Sequence, residues 1–131
     1  MKKSLTRKER LRGKTALKRV FGVFRGAGTE AGSVSGPGAR LSAVKNGLEY
    51  SRVVVSPVRG YGGAVARNRV RRVAKEAYRC IKSSVKPGFD LAFILFPERT
   101  QGRVVVGDFS YGQRLSQFSF LLKKAGLLRE N

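Results

Sequence analysis

The spacing of apolar positions predicts a helix and then a loop in the first third of the chain. Apolar residues recur at helical spacing from Lys14 to Arg25, and Gly26 closes the stripe. The stripe consists of Ala16, Leu17, Val20, Phe21 and Phe24. The Gly-rich stretch that follows, residues 26–38, is typical of a flexible loop.

Two short strands are predicted next, at Leu41–Lys45 and Arg52–Ser56. Asn46-Gly47 between them is a turn signal. Pro57 predicts that the second strand ends there or lies at a sheet edge, since proline cannot donate a hydrogen bond to a neighbouring strand.

The last part of the chain predicts a central strand and a helix. Phe89–Phe96 is an almost unbroken apolar run, as expected of a strand buried on both faces, and Val104–Val106 predicts a short edge strand. Ser110 with Gln113 has the spacing of a capping box at a helix start. The helix would bury a stripe of Tyr111, Leu115, Phe118 and Leu122. Strands interleaved with three helices predict an α+β two-layer sandwich.

The segment Ala64–Ser83 predicts a helix with two chemically distinct faces, at about 100° per residue. The apolar arc contains Ala66, Val70, Val73, Ala74, Ala77, Cys80 and Ile81. The opposite arc contains Arg67, Asn68, Arg71, Arg72, Lys75, Tyr78, Arg79 and Lys82. We expect the first arc to pack on the sheet, with Cys80 as a core residue.

The polar arc of this helix carries almost only positive charge. A solvated helix face usually alternates charge signs so that residues four apart can pair, whereas Arg67, Arg71 and Lys75 repel one another at that spacing. One-signed basic stripes are typical of nucleic-acid-binding surfaces, and an ordinary solvated face is the alternative. Tyr78 on this arc would either stack on a base or ribose, or flank the core.

The composition supports an intracellular partner of nucleic acid. The chain has 131 residues, of which 41% are hydrophobic, which suits one packed domain. Lys and Arg total 28 against eight acidic residues, giving a formal net charge of +20. No apolar run approaches the roughly 18 residues of a membrane span, and no signal-peptide core follows the basic start. The single cysteine suits a reducing cytoplasm.

The residue types present disfavour catalysis by this chain alone. The chain has no histidine, and its eight carboxylates are scattered singly, so neither a histidine base nor a metal cluster is expected. The Gly-Lys-Thr sequence at 13–15 lacks the upstream glycines of a phosphate-binding loop. We therefore expect no catalytic residue, no metal ligand and no small-molecule cofactor, and a basic arm at 1–13 before a single domain at 14–131.

The segment Gly62–Arg79, GGAVARNRVRRVAKEAYR, resembles the RNR motif of the bacterial ribonuclease P protein family. The positions that coincide with the motif are Gly62, Ala64, Val65, Arg67, Asn68, Arg69 and Arg72. Val20-Phe21, Arg52–Ser56 and Ser110-Tyr111 are similar to flanking family segments. The chain departs from the family at Gly63, where lysine is usual, and at Leu17 and Val44, where aromatic residues are common.

The resemblance implies an α-β-β-β-α-β-α order, a four-stranded sheet and a left-handed crossover, similar to one domain of a small-subunit ribosomal protein. It implies a protein subunit of the ribonuclease P holoenzyme, a cytoplasmic endoribonuclease that removes the 5′ leader of precursor tRNA. The catalytic RNA, with its own bound Mg²⁺, would supply the active site. The residues implied to bind that RNA are Arg67, Asn68, Arg69, Arg71, Arg72, Lys75 and Arg79. Those implied to bind the leader are Arg10, Arg12, Phe21 and Phe24.

Two other functions remain open on the residues alone. A structural RNA-binding protein, such as a ribosomal component, fits the charge and the fold class nearly as well. A nonspecific DNA-compacting protein would also show a strong basic surplus and steep salt dependence. A membrane-associated peptide is disfavoured, because the apolar arc of the central helix consists of small residues suited to packing on a sheet.

Overall fold

The structure, a computed structural model, describes residues 7–21, 31–36, 38–58, 60–97, 99–100, 103–104 and 110–128. Its helices are α1 (Lys14–Phe21), α2 (Ala64–Ile81) and α3 (Tyr111–Lys124). Its strands are β1 (Ala31–Gly36), β2 (Ala39–Lys45), β3 (Arg52–Pro57), β4 (Phe89–Leu95), β5 (Arg99–Thr100) and β6 (Arg103–Val104). Single 3-10 turns lie at Arg7–Glu9 and Lys82–Ser84. The predicted α+β class is confirmed.

The main sheet has the strand order β1-β2-β4-β3, in which β3 and β4 are parallel and the other pairs antiparallel. The apolar run at 89–96 forms the central strand β4, as predicted, and Leu91, Phe93 and Leu95 are fully buried there. β3 lies at the sheet edge and ends at Pro57, which agrees with both readings of that proline.

The prediction of a loop over 26–38 was wrong for part of that stretch, because β1 occupies Ala31–Gly36. The sequence pattern does not predict this strand, because its residues are small and do not alternate between large apolar and polar side chains. Its pairing with β2 defines it as a strand. Its small side chains also let α3 approach closely. A Cβ atom at Gly36 would lie only 3.1 Å from the Phe120 ring and 3.3 Å from Leu121.

The predicted turn at Asn46-Gly47 is present, but the two strands that it links are not neighbours. Gly47 has a φ of +71°, which favours glycine, and the Asn46 side chain accepts a hydrogen bond from the Leu48 backbone at 2.8 Å. β4 inserts between β2 and β3 and pairs with both, because its apolar run is best buried at the sheet centre.

The predicted strand near Val104 belongs to a separate hairpin and not to the edge of the main sheet. β6 pairs antiparallel with β5 through Arg99–Val104 and Thr100–Arg103. Residues 105–106, the rest of that prediction, lie outside the described residues.

Two apolar clusters lie on opposite faces of the sheet. The larger cluster fills the space beneath α2 and α3, where Phe93 stacks on Phe118 with ring centroids 4.1 Å apart. The predicted capping box of α3 is present: the Ser110 side chain and the Gln113 side chain each accept from the other residue's backbone N–H. The smaller cluster, beneath α1, contains Leu11, Val20, Val44 and Ala92.

Arg114 on α3 is a fully buried cation that ties together the loops at one end of the sheet. Its Nη1 donates to the Gly38 carbonyl at 2.8 Å and to Gln117 Oε1 at 3.0 Å. Its Nη2 donates to the Tyr61 hydroxyl at 2.9 Å and to the Phe96 carbonyl at 3.1 Å. The guanidinium thereby joins the β1–β2 turn, the end of β4 and the loop that leads into α2.

A buried ion pair fixes the other end of the sheet. Asp90, which has no exposed surface, accepts from Arg52 Nε at 2.8 Å and from Arg52 Nη2 at 2.7 Å. Asn46 Nδ2 donates to the same carboxylate at 3.0 Å. The side-chain hydrogen bond to Asp90 raises the pKa of Arg52 above its ordinary value, although partial burial of the guanidinium opposes the shift.

Tyr78 is a core residue, which settles the two alternatives that the sequence left open. Its side chain is buried beneath α2, and its ring lies 6.0 Å from that of Phe93 at an angle of 59°. The buried face of α2 is therefore rotated towards Tyr78 relative to the predicted apolar arc, and Val73, Cys80 and Ile81 lie at its margin, partly exposed.

Replacing Tyr78 by phenylalanine is expected to make the fold less sensitive to alkaline pH. Burial raises the pKa of Tyr78 above its ordinary value of about 10, and the charge of Glu9 adds to the effect. A raised folded-state pKa leaves stability intact below about pH 10 and removes it as the pH rises further, because the unfolded chain ionises first. Denaturant titrations at about pH 8 and about pH 11 measure this loss. An equal loss in both proteins would contradict the prediction.

Candidate nucleic-acid interface

α2 begins after two glycines, Gly62 and Gly63, of which the first has a backbone conformation that favours glycine. Gly62 has a φ of +141°, and a Cβ there would lie 3.2 Å from that of Ala66. Gly63 is the N-cap residue; it makes no side-chain cap, and its carbonyl accepts from the Arg67 backbone at 3.0 Å. The buried Tyr61, held by Arg114, anchors this entry to the core. The first turn of the RNR helix is therefore fixed by its own loop.

The two faces predicted for α2 are present, with the rotation noted above. Val70, Ala74, Ala77 and Tyr78 are buried against the core. The exposed polar residues on the outer face are Asn68, Arg69, Arg72 and Lys75, and those at its margins, partly buried, are Arg67, Arg71 and Arg79. The outer face of α2 is thus the basic surface that the sequence predicts.

Most of these cations are not engaged within the protein. Among the residues that the structure describes, Arg67, Arg69, Arg72 and Lys75 form no hydrogen bond or ion pair through their side chains. Arg71 Nη1 donates to Asn68 Oδ1 at 3.2 Å, so those two are oriented by each other. Their positive charge is therefore available to an external anion.

Arg79, which the family resemblance assigns to the same RNA-binding group, forms an ion pair within α2 itself. It pairs with Glu76 three residues earlier, and its Nε is buried without a partner among the described residues. The cationic surface is therefore concentrated in the first three turns of α2, between Arg67 and Lys75.

The two flanks of α2 contact different parts of the chain. On one flank, Cys80 Sγ lies 2.5 Å from the Tyr111 hydroxyl on α3, which places this partly buried thiol at a helix–helix contact. On the other flank, Lys82, the C-cap residue of α2, donates through Nζ to Glu9 Oε1 at 3.0 Å. The second flank of α2 therefore faces the N-terminal arm, which we define as residues 7–13.

The arm runs along the outer edge of β3. Arg10 forms a parallel bridge with Val53, and the Leu11 backbone N–H donates to the Val53 carbonyl at 2.8 Å. Leu11 is buried in the smaller cluster, whereas Arg10 and Arg12 are exposed. The arm thus has a defined register against the sheet over the part that the structure describes.

The residues predicted to bind the leader are not all brought together. Phe21 is partly buried against the smaller cluster on the α1 face of the sheet, next to Leu17. Arg10 shares the orientation of its bridge partner Val53, whose side chain packs on the opposite face with α2. Phe24 lies outside the described residues. Phe21 and Arg10 therefore lie on opposite faces of the sheet.

The described acidic residues are mostly neutralised in place. Glu9, Glu76 and Asp90 each pair with a cation, and Glu49 is exposed. Within the described ranges, no group of three or more His, Cys, Asp or Glu side chains is placed to hold a metal ion. Nor is any helix in that part of the chain long and apolar enough to cross a membrane.

The basic outer face of α2 and the fold of the sheet agree with the result of a comparison with known protein families. The family model described as Ribonuclease P matches residues 5–125. The chain belongs to the ribonuclease P protein family. The match covers the arm, α1, the whole main sheet, α2 and all of α3, and so extends well beyond the RNR helix.

Relatives of known name agree with this membership. A ribonuclease P protein component from Clostridioides difficile is 52% identical over 52 residues, which span 39% of this chain and 46% of that protein. One from Clostridium perfringens is 35% identical over 92 residues, spanning 70% of this chain and 67% of that protein. The first match therefore covers less than half of the relative's length.

Solved structures show the same fold. The RNase P protein from Thermotoga maritima is 28% identical with a TM-score of 0.67, covering 88% of this chain and 96% of that one. A Staphylococcus aureus RNase P protein structure at 20% identity has a TM-score of 0.70, covering 92% and 98%, and is evidence for the fold alone.

Proposed function

We propose that this chain is the protein subunit of a ribonuclease P holoenzyme and binds its catalytic RNA through the outer face of α2. The observation that carries the proposal is the group of cations between Arg67 and Lys75, which are exposed or half-exposed and largely without partners in the described chain. Neutralising RNA phosphates with such cations releases counterions, which drives binding at moderate salt.

Individual residues of this face would have different tasks. Guanidinium groups such as Arg69 and Arg72 can donate two hydrogen bonds to a phosphate or a guanine edge, whereas Lys75 acts as a point charge. Arg71 and Asn68 already hold each other at 3.2 Å, so they would present a preformed donor pair. Val65, exposed one turn before Arg69, offers an apolar contact to a ribose on the same side.

The α1 face of the sheet would hold the single-stranded leader of precursor tRNA, with Phe21 at its margin. Arg12 and Phe24 join this proposal by resemblance. Leu17, where the family often has an aromatic residue, packs on the smaller cluster in this chain, and Val44 forms part of it. Stacking on leader bases would therefore depend mainly on Phe21, and we expect the protein to contribute to leader affinity without strong sequence preference.

The chemistry of cleavage would belong to the RNA. Among the described residues, no group of acidic, histidine or cysteine side chains is placed to bind a metal ion. The carboxylates of Asp90 and Glu9 form ion pairs with Arg52 and Lys82 of the same chain. We propose that Mg²⁺ is bound by the RNA, and that the protein favours the assembled complex by neutralising phosphate charge. The task of this chain is then to dock and orient RNA.

Adding the purified protein to its cognate catalytic RNA is expected to lower the Mg²⁺ concentration needed to cleave precursor tRNA, because bound cations replace part of the screening that Mg²⁺ supplies. The measurement is 5′-leader release in a Mg²⁺ titration at physiological salt, with and without protein. The protein without RNA should release no leader. Leader release that needs the same Mg²⁺ concentration with and without the protein would contradict the proposal. Co-purification of the protein with ribosomal subunits would instead favour a structural role in the ribosome.

A further inference from the structure

The N-terminal arm is fastened to the rest of the protein at three successive points. Lys8 Nζ lies 4.8 Å from the centre of the Tyr50 ring. Glu9 pairs with Lys82 at 3.0 Å, and both side chains are mostly buried, with 23% and 13% exposure. Leu11 enters the smaller cluster and bonds the Val53 carbonyl. Contacts of three different kinds therefore fix the arm in one register.

The register directs Arg10 towards α2. In an extended segment successive side chains point to opposite faces, so Leu11 and Arg10 diverge. Leu11 packs with Val20 and Val44 on the α1 face, whereas Arg10 takes the orientation of Val53, on the α2 face. The exposed cation of Arg10 therefore borders the arm-side flank of α2.

That flank of α2 is itself basic. Residues four, seven and eleven positions apart share one side of a helix, so Arg71 and Lys75 lie on the side of α2 that leads to Lys82, its C-cap residue. Lys82 is the member whose contact with the arm is observed directly, through Glu9. The arm and this flank together present cations from two distant parts of the sequence.

Like charges of this density would push the arm away from the helix. Glu9 supplies the opposite charge at the contact between them, 73 positions away from Lys82 along the chain. The ion pair thus sets where the arm lies before any RNA is present. A positioned array of cations loses less conformational freedom on binding than a loose one.

We propose that residues Lys8–Arg10 and the arm-side flank of α2 form one docking surface for structured RNA, the catalytic RNA itself, and that Glu9 is the positioning residue that fixes it. This inference rests on the proposed function. It assigns Arg10 to the RNA subunit and not to the single-stranded leader, because Arg10 lies on the α2 side of the sheet and Phe21 on the other.

Replacing Glu9 by glutamine tests the proposal, because two explanations predict opposite signs. If only total charge mattered, removing one negative charge would tighten RNA binding. If Glu9 positions the arm, Glu9→Gln should weaken binding of the catalytic RNA by about 2–5-fold, the range expected for loss of a partly exposed ion pair. The measurement is the Kd for the catalytic RNA without substrate, in a salt titration.

Glu49→Gln is the matched control, since Glu49 is an exposed acid in the loop after β2 and its replacement changes the charge equally. We expect this variant to bind the RNA as tightly as the wild type, or slightly more tightly. Lys82→Glu should weaken binding, and combining it with Glu9→Lys should restore part of the loss by reversing the pair. Denaturant titration of each variant shows whether the fold is retained.

The outcomes separate this inference from the proposed function. If the Glu9→Gln variant binds the catalytic RNA as tightly as the Glu49→Gln variant, or more tightly, the positioning role of Glu9 is overturned. The proposed function would still stand in that case if the wild-type protein stimulates processing of precursor tRNA. A loss confined to leader-bearing precursor tRNA would overturn the choice of partner and assign the arm to the leader. Absence of wild-type binding to the catalytic RNA would instead overturn the proposed function.

Discussion

Replacing Arg69, Arg72 and Lys75 together by glutamine is expected to weaken binding of the catalytic RNA by on the order of 100-fold, taking about 1 kcal/mol for each lost phosphate contact. All three side chains are exposed and have no side-chain partner among the described residues, so the fold should be retained. The slope of log affinity against log salt should fall by about three, since each cation releases roughly one counterion.

The control removes the same amount of charge elsewhere. Lys45, Lys86 and Lys123 are exposed, and none of them lies on α2. Their combined replacement by glutamine should lower affinity only slightly, through long-range attraction that salt screens. The affinities are measured by filter binding over a salt series. An equal loss of RNA affinity in the two triple variants would show that the protein binds RNA through its total charge, and that α2 has no special role.

Replacing Arg114 by methionine is expected to lower the free energy of unfolding by about 3–5 kcal/mol, one of the largest effects of any single change in this chain. The substitution keeps an unbranched side chain but removes four hydrogen bonds from a charged donor. The Gly38 and Phe96 carbonyls and the Tyr61 hydroxyl would then lose a buried partner. Urea denaturation followed by circular dichroism measures the change.

Arg40 provides the matched comparison, because it is an exposed arginine whose Nε donates to the Ser35 hydroxyl at 3.1 Å. Its replacement by methionine should change stability by no more than about 1 kcal/mol. Since Arg114 holds the loop before α2, its variant should also bind RNA less tightly at temperatures where it remains folded. A stability loss as small as that of the Arg40 variant would contradict the structural role given to Arg114.

The sequence predicts best those features that repeat along one element. The two faces of α2, the buried run of β4 and the capping box at Ser110 each depend on local spacing or on one continuous stretch of residues. Their physical cause is local, so the pattern is visible without knowledge of the fold. The family resemblance at Gly62–Arg79 depends on the same kind of local signal.

Features that depend on contacts between distant segments were not predictable from the pattern. β1 has almost no apolar side chains, and only its pairing with β2 makes it a strand. Arg114 is fully buried although arginine is usually exposed, because carbonyls from separate loops surround it. The contact of Glu9 with Lys82 likewise requires the folded arrangement of the arm and α2.

The contact of the arm with β3 has a consequence for how copies of this protein meet one another. An outer strand with open backbone groups is a template for strand addition by a second molecule, which is a route to aggregation. In β3 the Val53 carbonyl is already taken by Leu11, and Pro57 has no N–H to offer. An incoming strand would have to peel the arm away first. The N-terminal arm of the same chain therefore covers this edge of the sheet.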